Sequence, residues 1–340
     1  MKICFCGRLF GPEMNFKVLG GRVLYNSELD EMFDDEKLTM AIKKRIRKSS
    51  IKMIFISLVV ITVAFIAIYF ANLAITHKLS NEIFGFNENN IKLHVPNGYI
   101  SKSTDSMGFL VGRSDYTVSR DVAAKPVVLE NKVSAYGLLT PLVLGRSQGV
   151  GSFAGEWSVD YWENGYRKMI FFNPEISYKE YKNDLDELDK VSSDKLIELG
   201  LSFDKPYIAT DMPTILPLVK ISWYWVDAFR KEDSDRHKKQ ATENDGKATY
   251  IREDDALGVS VYHDLKDFNE GYNNLRELLK SSKDNKYNEI YNELVAKGYT
   301  DSSNVPILGV IVYGTKDELK LLIDNPHIKA SSFGVVVDKY

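Results

Sequence analysis

Residues 142–151 read LVLGRSQGVG and contain Gly145-Arg146-Ser147-Gln148-Gly149, the G-x-S-x-G spacing of a serine hydrolase's nucleophile elbow. In that device a strand enters a sharp turn that exposes the Ser hydroxyl, and a helix follows to back the oxyanion hole. Here Pro141 interrupts the segment that would be the strand. The residues after Gly149, VGSFAGEWSVDYW, are glycine-spaced and then alternate, so no helix begins there. Asp and His occur downstream of Ser147, but His237, His263 and His327 lack a distinctive context. Gly149, Gly151 and Gly155 also miss the G-x-G-x-x-G of dinucleotide sites. The stretch reads as a loop and the chain as a non-enzyme, with no catalytic residue and no cofactor assigned.

Other clusters of reactive side chains weaken in the same way. Cys4 and Cys6 supply two metal ligands, and all five histidines lie beyond residue 76, so no zinc site is expected. Asp184, Asp186 and Asp189 match no calcium loop and read as a solvated helix face. Trp223 and Trp225 alternate on a strand as a platform for a glycan or lipid headgroup would, although core packing is the stronger reading.

The elements around these residues are set by a run of 24 without charge, Met53 to Thr76, MIFISLVVITVAFIAIYFANLAIT. As a helix it is about 36 Å long, against a bilayer hydrocarbon core of roughly 30 Å. Lys43, Lys44, Arg45, Arg47, Lys48 and Lys52 precede it, whereas Lys78 is the one basic residue in the fifteen that follow. The positive-inside rule then puts the N-terminus in the cytoplasm and the C-terminus outside the cell membrane, in a single pass. Charge divides accordingly. Residues 1–52 carry a net +4 and residues 77–340 a net −7, which leaves no large basic surface for direct nucleic-acid binding.

Before the run, Glu28, Asp30, Glu31, Asp34, Asp35 and Glu36 are interleaved with Leu29, Met32 and Phe33 at helical spacing. Leu38, Ile42 and Ile46 continue the apolar stripe. An acidic amphipathic helix of this kind suits capture of a basic cytoplasmic protein, and equally suits a solvated juxtamembrane helix.

Beyond the run, residues 77–115 read as a polar stalk leading into strands. Asn164-Gly165 lies between two alternating runs and predicts a hairpin. Ser177…Glu180 has the capping-box spacing and predicts a helix with Tyr178, Tyr181, Leu185 and Leu188 on one side, ending by Gly200. VKISWYWVDAF predicts a strand with Ile221, Trp223 and Trp225 facing one way, and residues 231–247 a charged loop. GVSVYH reads as a strand, FNEGYNNLRELL and NEIYNELVAKG as helices. The end of the chain predicts strand, capped helix from Thr315 to Asp324, and strand. The expected architecture is α+β: a single-pass transmembrane helix, a mixed α+β extracytoplasmic domain and a short helical cytoplasmic arm. Its divisions are a cytoplasmic arm 1–52, a transmembrane helix 53–76, a stalk and first outer part 77–165, and an outer domain 166–340.

The stretches FFNPEISYKEYKNDLDEL, LIELGLSFDKPYIATDMPTILP and ISWYWVDAF, with the tail PILGVIVYGTKDELKLLIDNPHIKASSFGVVVD, resemble the C-terminal domain of membrane-bound sigma factor regulators of Gram-positive bacteria, the anti-sigma-M type among them. The basic helix and single span resemble the N-terminal domain of that family. The resemblance implies an anti-sigma factor that sequesters an extracytoplasmic-function sigma factor at the membrane, with an outer domain that senses envelope state through an unidentified ligand or membrane partner. Within the family motifs Asn173-Pro174 reads as a turn, Phe203-Asp204-Lys205-Pro206 as a loop, and Trp223-Tyr224-Trp225 as packing. Candidate partner-binding residues are Leu29, Met32, Phe33, Leu38 and Ile42. The alternative is a membrane-anchored outer binding module with no sigma partner.

Overall fold

A computed structural model describes residues 35–138, 150–152, 159–243, 250–261 and 265–339. Cys4, Cys6, Leu29, Met32, Phe33, the G-x-S-x-G segment with Ser147, and His263 lie outside the described residues. The chain divides into two compact units, Met1–Phe70 and Ala71–Tyr340.

Helix α1, Asp35–His94, is the first described element and contributes residues to both units. In the first unit its apolar side chains, from Met53 through Phe70, are exposed. This helix is long and apolar enough to cross a membrane. In the second unit the expected stalk over 77–94 is instead the continuation of α1. Its polar residues face protein: Thr76, Ser80 and Asn87 are buried, Ser80 bonds Asp105, and Asn87 Nδ2 donates to Ser134 Oγ at 2.7 Å. Those partners lie on an antiparallel meander of β1 (Gly98–Met107), β2 (Val111–Val122) and β3 (Lys125–Gly137). Ile91 and Val95 close its core with Val118, Val122, Val127 and Leu129.

Short strands β4 (Val150–Ser152) and β5 (Val159–Tyr161) pair next. The hairpin predicted at Asn164-Gly165 is present but brief. Gly165 adopts φ 81°, a left-handed conformation that favours glycine. Tyr161 bridges Arg167 across the turn, and the chain then leaves to form β6 (Ile170–Phe171).

The main sheet holds five antiparallel strands. It is built from β7 (Lys195–Tyr207), β8 (Lys220–Val226), β10 (Gly258–Ser260), β11 (Ile307–Thr315) and β12 (Ile328–Asp338), in the order β10-β8-β11-β7-β12. The connections carry α2 (Met212–Ile215), α3 (Lys231–Glu243), β9 (Ile251–Arg252), α4 (Leu265–Ser281), α5 (Asn285–Ala296) and α6 (Lys316–Lys320). β7 shows why the sheet has two unlike faces. Ile197, Leu199, Leu201 and Phe203 point to one core with Phe268, Tyr272, Tyr287 and Ile290 of α4 and α5. The intervening Glu198, Gly200 and Ser202 point to the other, as a period of two requires.

That second face explains several departures from the expected elements. Gly200 lies mid-strand, not at a helix end: a Cβ there would sit 3.1 Å from the Phe171 ring, a tight contact that glycine relieves. Ser202 Oγ accepts from the Phe172 amide at 2.9 Å. Phe203-Asp204-Lys205-Pro206, expected as a loop, completes β7. No helix starts at Ser177. Tyr178 meets Phe172 edge to face and Tyr181 packs against it at a tilt, while Leu185 and Leu188 belong to a 3-10 helix, Asp184–Lys190, in a different cluster. Residues 231–243, expected within a charged loop, are helical; Asp233 and Ala241 are the buried residues of this helix, so it shows no apolar period. Trp223 and Trp225 are core residues beside Met169, Phe171 and Ile311. Ile221 faces the opposite core, since the register slips at Ser222. Thr315 and Glu318 form the predicted capping box, and α6 ends earlier than expected, at Lys320.

A Cβ on Gly258 would lie 2.2 Å from both the Trp223 ring and the Tyr224 carbonyl, whereas one on Gly85 of α1 would meet nothing within 4 Å. Gly258→Ala should therefore destabilise the chain by about 1–3 kcal/mol. Gly85→Ala should stabilise it by about 0.5–1 kcal/mol. Thermal unfolding of the full chain in detergent would check both signs.

Candidate functional site

Two surfaces carry chemistry, one in each unit. In the first unit, Leu38 and Ile42 are four residues apart on α1 and so share a face. Their exposures are 52% and 50%, and Ile46 is exposed at 60%. Lys43, Lys44, Arg45, Arg47, Lys48 and Lys52 surround and follow this stripe, all exposed. A stripe of this kind can dock into a partner's apolar groove, with the cations adding register and steering.

In the second unit a cavity of about 400 Å³ opens beside the C-terminal end of β8. Trp225, Phe229, Asp233 and His237 of α3, Tyr250 and Asp254 are among the residues of its wall, with His94 and Tyr287. Much of this wall is internally satisfied. Arg230 Nε bonds Asp233 at 2.7 Å, Arg236 bonds the same carboxylate at 2.5 Å, and Arg230 also pairs with Glu289. His94 Nδ1 donates to the Asn90 carbonyl at 2.9 Å, which leaves Nε2 to accept from the Tyr287 hydroxyl at 2.7 Å.

Three polar atoms of the wall are buried without a hydrogen-bond partner: Trp225 Nε1, His237 Nδ1 and Asp254 Oδ1. Trp225 is 0% exposed, so its N–H meets no solvent, and an unpaired buried donor is costly by about 1–3 kcal/mol. Burial, with Arg236 nearby, holds the His237 imidazole below its ordinary pKa. Burial pushes the Asp254 carboxyl up, but Lys168 and Arg252 together outweigh this and keep it below the usual range. The three unpaired atoms lie closed behind the wall, and what the cavity presents is mainly aromatic rings, the Tyr250 and Tyr287 side chains and paired charges. A wall of rings with few unpaired charges suits a small neutral ligand with hydroxyl groups.

The cavity wall is backed by a buried ionic cluster. Arg120 of β2, 0% exposed, reaches Glu198 of β7 at 3.0 Å and Glu253, next to Asp254, at 2.8 Å. Trp162 Nε1 donates to Glu253 at 2.7 Å, and the Val335 amide donates to Glu198 at 3.2 Å. Burial disfavours the Arg120 charge, but the two carboxylates outweigh it and hold the guanidinium protonated. Burial pushes the Glu253 carboxyl above its ordinary value, because one cation serves two anions.

These side chains were not singled out in the sequence. Glu198, between Ile197 and Leu199, gave the one usable signal, a charge inside an apolar strand pattern. Arg120 and Glu253 lie among other charges. Among the described residues no His/Cys/Asp/Glu group has metal-binding geometry, and Asp184, Asp186 and Asp189 do not converge as one.

Arg120→Met would strand two buried carboxylates and should destabilise the chain by about 3–5 kcal/mol, whereas Glu253→Gln keeps an acceptor and should cost less. Because the folded pKa of Glu253 is raised above 4.5, its contribution to stability is full below that pH. The contribution is then lost as pH rises through the folded value. Unfolding curves across this range should decline less steeply for Glu253→Gln than for the native chain.

Comparison with known proteins bears on both units. Residues 39–127 match the family model described as sigma factor regulator N-terminal, and residues 188–335 match sigma factor regulator C-terminal. The first match takes in the basic stretch, the apolar run and the meander as far as the start of β3. The second runs from the 3-10 helix through most of β12. No curated protein and no solved structure matches the chain. Carrying both domains over well over half its length, the chain belongs to the sigma factor regulator family.

Proposed function

We propose that the protein is a single-pass anti-sigma factor of the anti-sigma-M type found in Gram-positive bacteria. It holds an extracytoplasmic-function sigma factor at the membrane and away from core RNA polymerase. The observation that carries this reading is the pairing of the N-terminal regulator domain with an exposed apolar stripe directly before the apolar run. The excess of Lys and Arg on that side of the run supports a cytoplasmic N-terminus. In the sequence Leu29, Met32 and Phe33 recur at helical spacing ahead of the stripe, and the carboxylates between them would steer a basic partner.

The outer domain responds to envelope state by binding a neutral, hydroxyl-bearing envelope component. The cavity beside Trp225 supports this part, because its wall combines aromatic rings with tyrosines, and Asp233 and Asp254 are paired with Arg230, Arg236 and Lys168. The same cavity favours a second reading, a tethered outer binding module with no sigma partner, and removal of residues 1–35 separates the two. Loss of all regulation supports the anti-sigma reading, and full retention supports the module.

Phe33→Asp with Ile42→Asp should release sigma-dependent transcription while membrane insertion stays unchanged. A reporter assay paired with membrane fractionation measures both, and unaltered repression would discard the stripe. Trp225→Phe keeps an aromatic ring in the wall and replaces the larger indole with its N–H. It should leave basal repression intact and blunt induction of the reporter by cell-wall-active antibiotics.

A further inference from the structure

The β1–β2 turn is unusual for one in water. Met107 pairs with Gly112, and the Gly108 amide donates to the Val111 carbonyl at 2.8 Å, so Phe109 and Leu110 alone form the loop. Two-residue hairpin loops favour Asn, Asp and Gly, which tolerate positive φ and water. Here Leu110 adopts φ 55°, a conformation disfavoured for a side chain of this type. Phe109 is 60% exposed, Met107 44% and Leu138 62%. The Leu138 amide donates to the Leu110 carbonyl at 2.9 Å, which gathers these side chains at one tip. No charge occurs from Ser106 to Gly112.

The tip is fastened to α1 at Asn72. Asn72 Nδ2 donates to the Gly108 carbonyl at 3.1 Å, and Asn72 Oδ1 accepts from the Leu110 amide at 2.6 Å. Asn72 and the tip belong to the same compact unit. Asn72 is also the fifth residue from the end of the uncharged run, about 6 Å of helix rise before Thr76. A polar amide in that position needs partners other than water, and the turn backbone supplies them. The same bonds satisfy the turn's own amide and carbonyl.

We infer that this tip, carrying Met107, Phe109 and Leu138, inserts into the boundary between headgroups and acyl chains of the outer leaflet. The occupant of the exposed apolar tip is therefore lipid. The inference rests on the reading that the run at 53–76 crosses the membrane, because the height of Asn72 along that run sets the height of the tip. Exposed apolar side chains then gain burial on the membrane, as in interfacial anchors.

The test uses full-length protein with Cys4→Ser and Cys6→Ser, reconstituted in phosphatidylcholine vesicles with or without lipids carrying a nitroxide on the acyl chain. An environment-sensitive fluorophore is placed singly through Phe109→Cys, Leu138→Cys, Phe65→Cys or Lys92→Cys. Phe65 lies within the run, and Lys92 is about 24 Å of helix beyond Thr76. The expected result is blue-shifted emission and loss of most fluorescence to the nitroxide at 109, 138 and 65, with neither at 92. Quenching at 65 without quenching at 109 and 138 would overturn the inference while the spanning reading stands. A blue shift at 109 and 138 without quenching would also overturn it, and would indicate a protein partner. Absence of quenching at 65 would overturn the spanning reading and this inference with it.

Discussion

A single guanidinium bound between two carboxylates determines how the larger unit is assembled. Arg120 comes from the meander, Glu198 from the main sheet, and Glu253 from the residue after β9. None of the three can keep its charge in a buried site without the others. The two chains of contact meet only if β2 lies across the face of the main sheet that carries Glu198. That requirement selects which face of the five-stranded sheet the meander covers. The opposite face is left for α4 and α5. Net stabilisation by such a cluster is small, since desolvation offsets attraction, but a misplaced partner is strongly penalised. Its role is to specify one arrangement. Trp162 extends it, donating to Glu253 while its ring lies under Lys168, which pairs with Asp254 on the cavity wall.

Packing on the covered face depends on small residues. Gly200 and Ser202 of β7 admit the rings of Phe171 and Phe172 and satisfy the Phe172 amide. Gly258 admits Trp223, and Gly309 passes the Leu201 carbonyl, where a Cβ would stand 2.3 Å away. The rings held this way shape the cavity, because Trp225 belongs to the aromatic core and also lines the opening.

Along α1 the chemistry changes with position. Leu38, Ile42 and Ile46 form a stripe among cations, the run from Met53 to Phe70 is exposed and apolar, and Asn72, Ser80 and Asn87 bond the meander. The N-terminal regulator domain follows this helix into the meander and is not confined to the stretch before the apolar run. The same backbone conformation therefore presents three different surfaces, and only the side chains distinguish them.

Strong local patterns were legible in the sequence. The uncharged run, the basic flank, the turn at Asn164-Gly165, helices α4 and α5 with their apolar period, and the Thr315…Glu318 cap all appear where expected. Each depends on interactions within a few residues, so the order of amino acids contains the information. The family resemblance was legible for the same reason, being carried in continuous stretches. Tertiary structure decided the rest. Ser177…Glu180 has the spacing of a cap, but the burial of Tyr178 against Phe172 overrides it. LIELGLSF suggests a helix end at Gly200 until the ring of Phe171 explains the glycine as a place of close approach in a strand. Ile221 changes face because of one slipped register position at Ser222. The charged helix α3 has no apolar period, and it is held by pairs such as Arg230 with Asp233. The cavity joins residues from 93 to 290, and the ionic cluster joins residues 120, 198 and 253. Such sites form only when distant segments meet and exclude water, a condition that no local pattern of residues encodes.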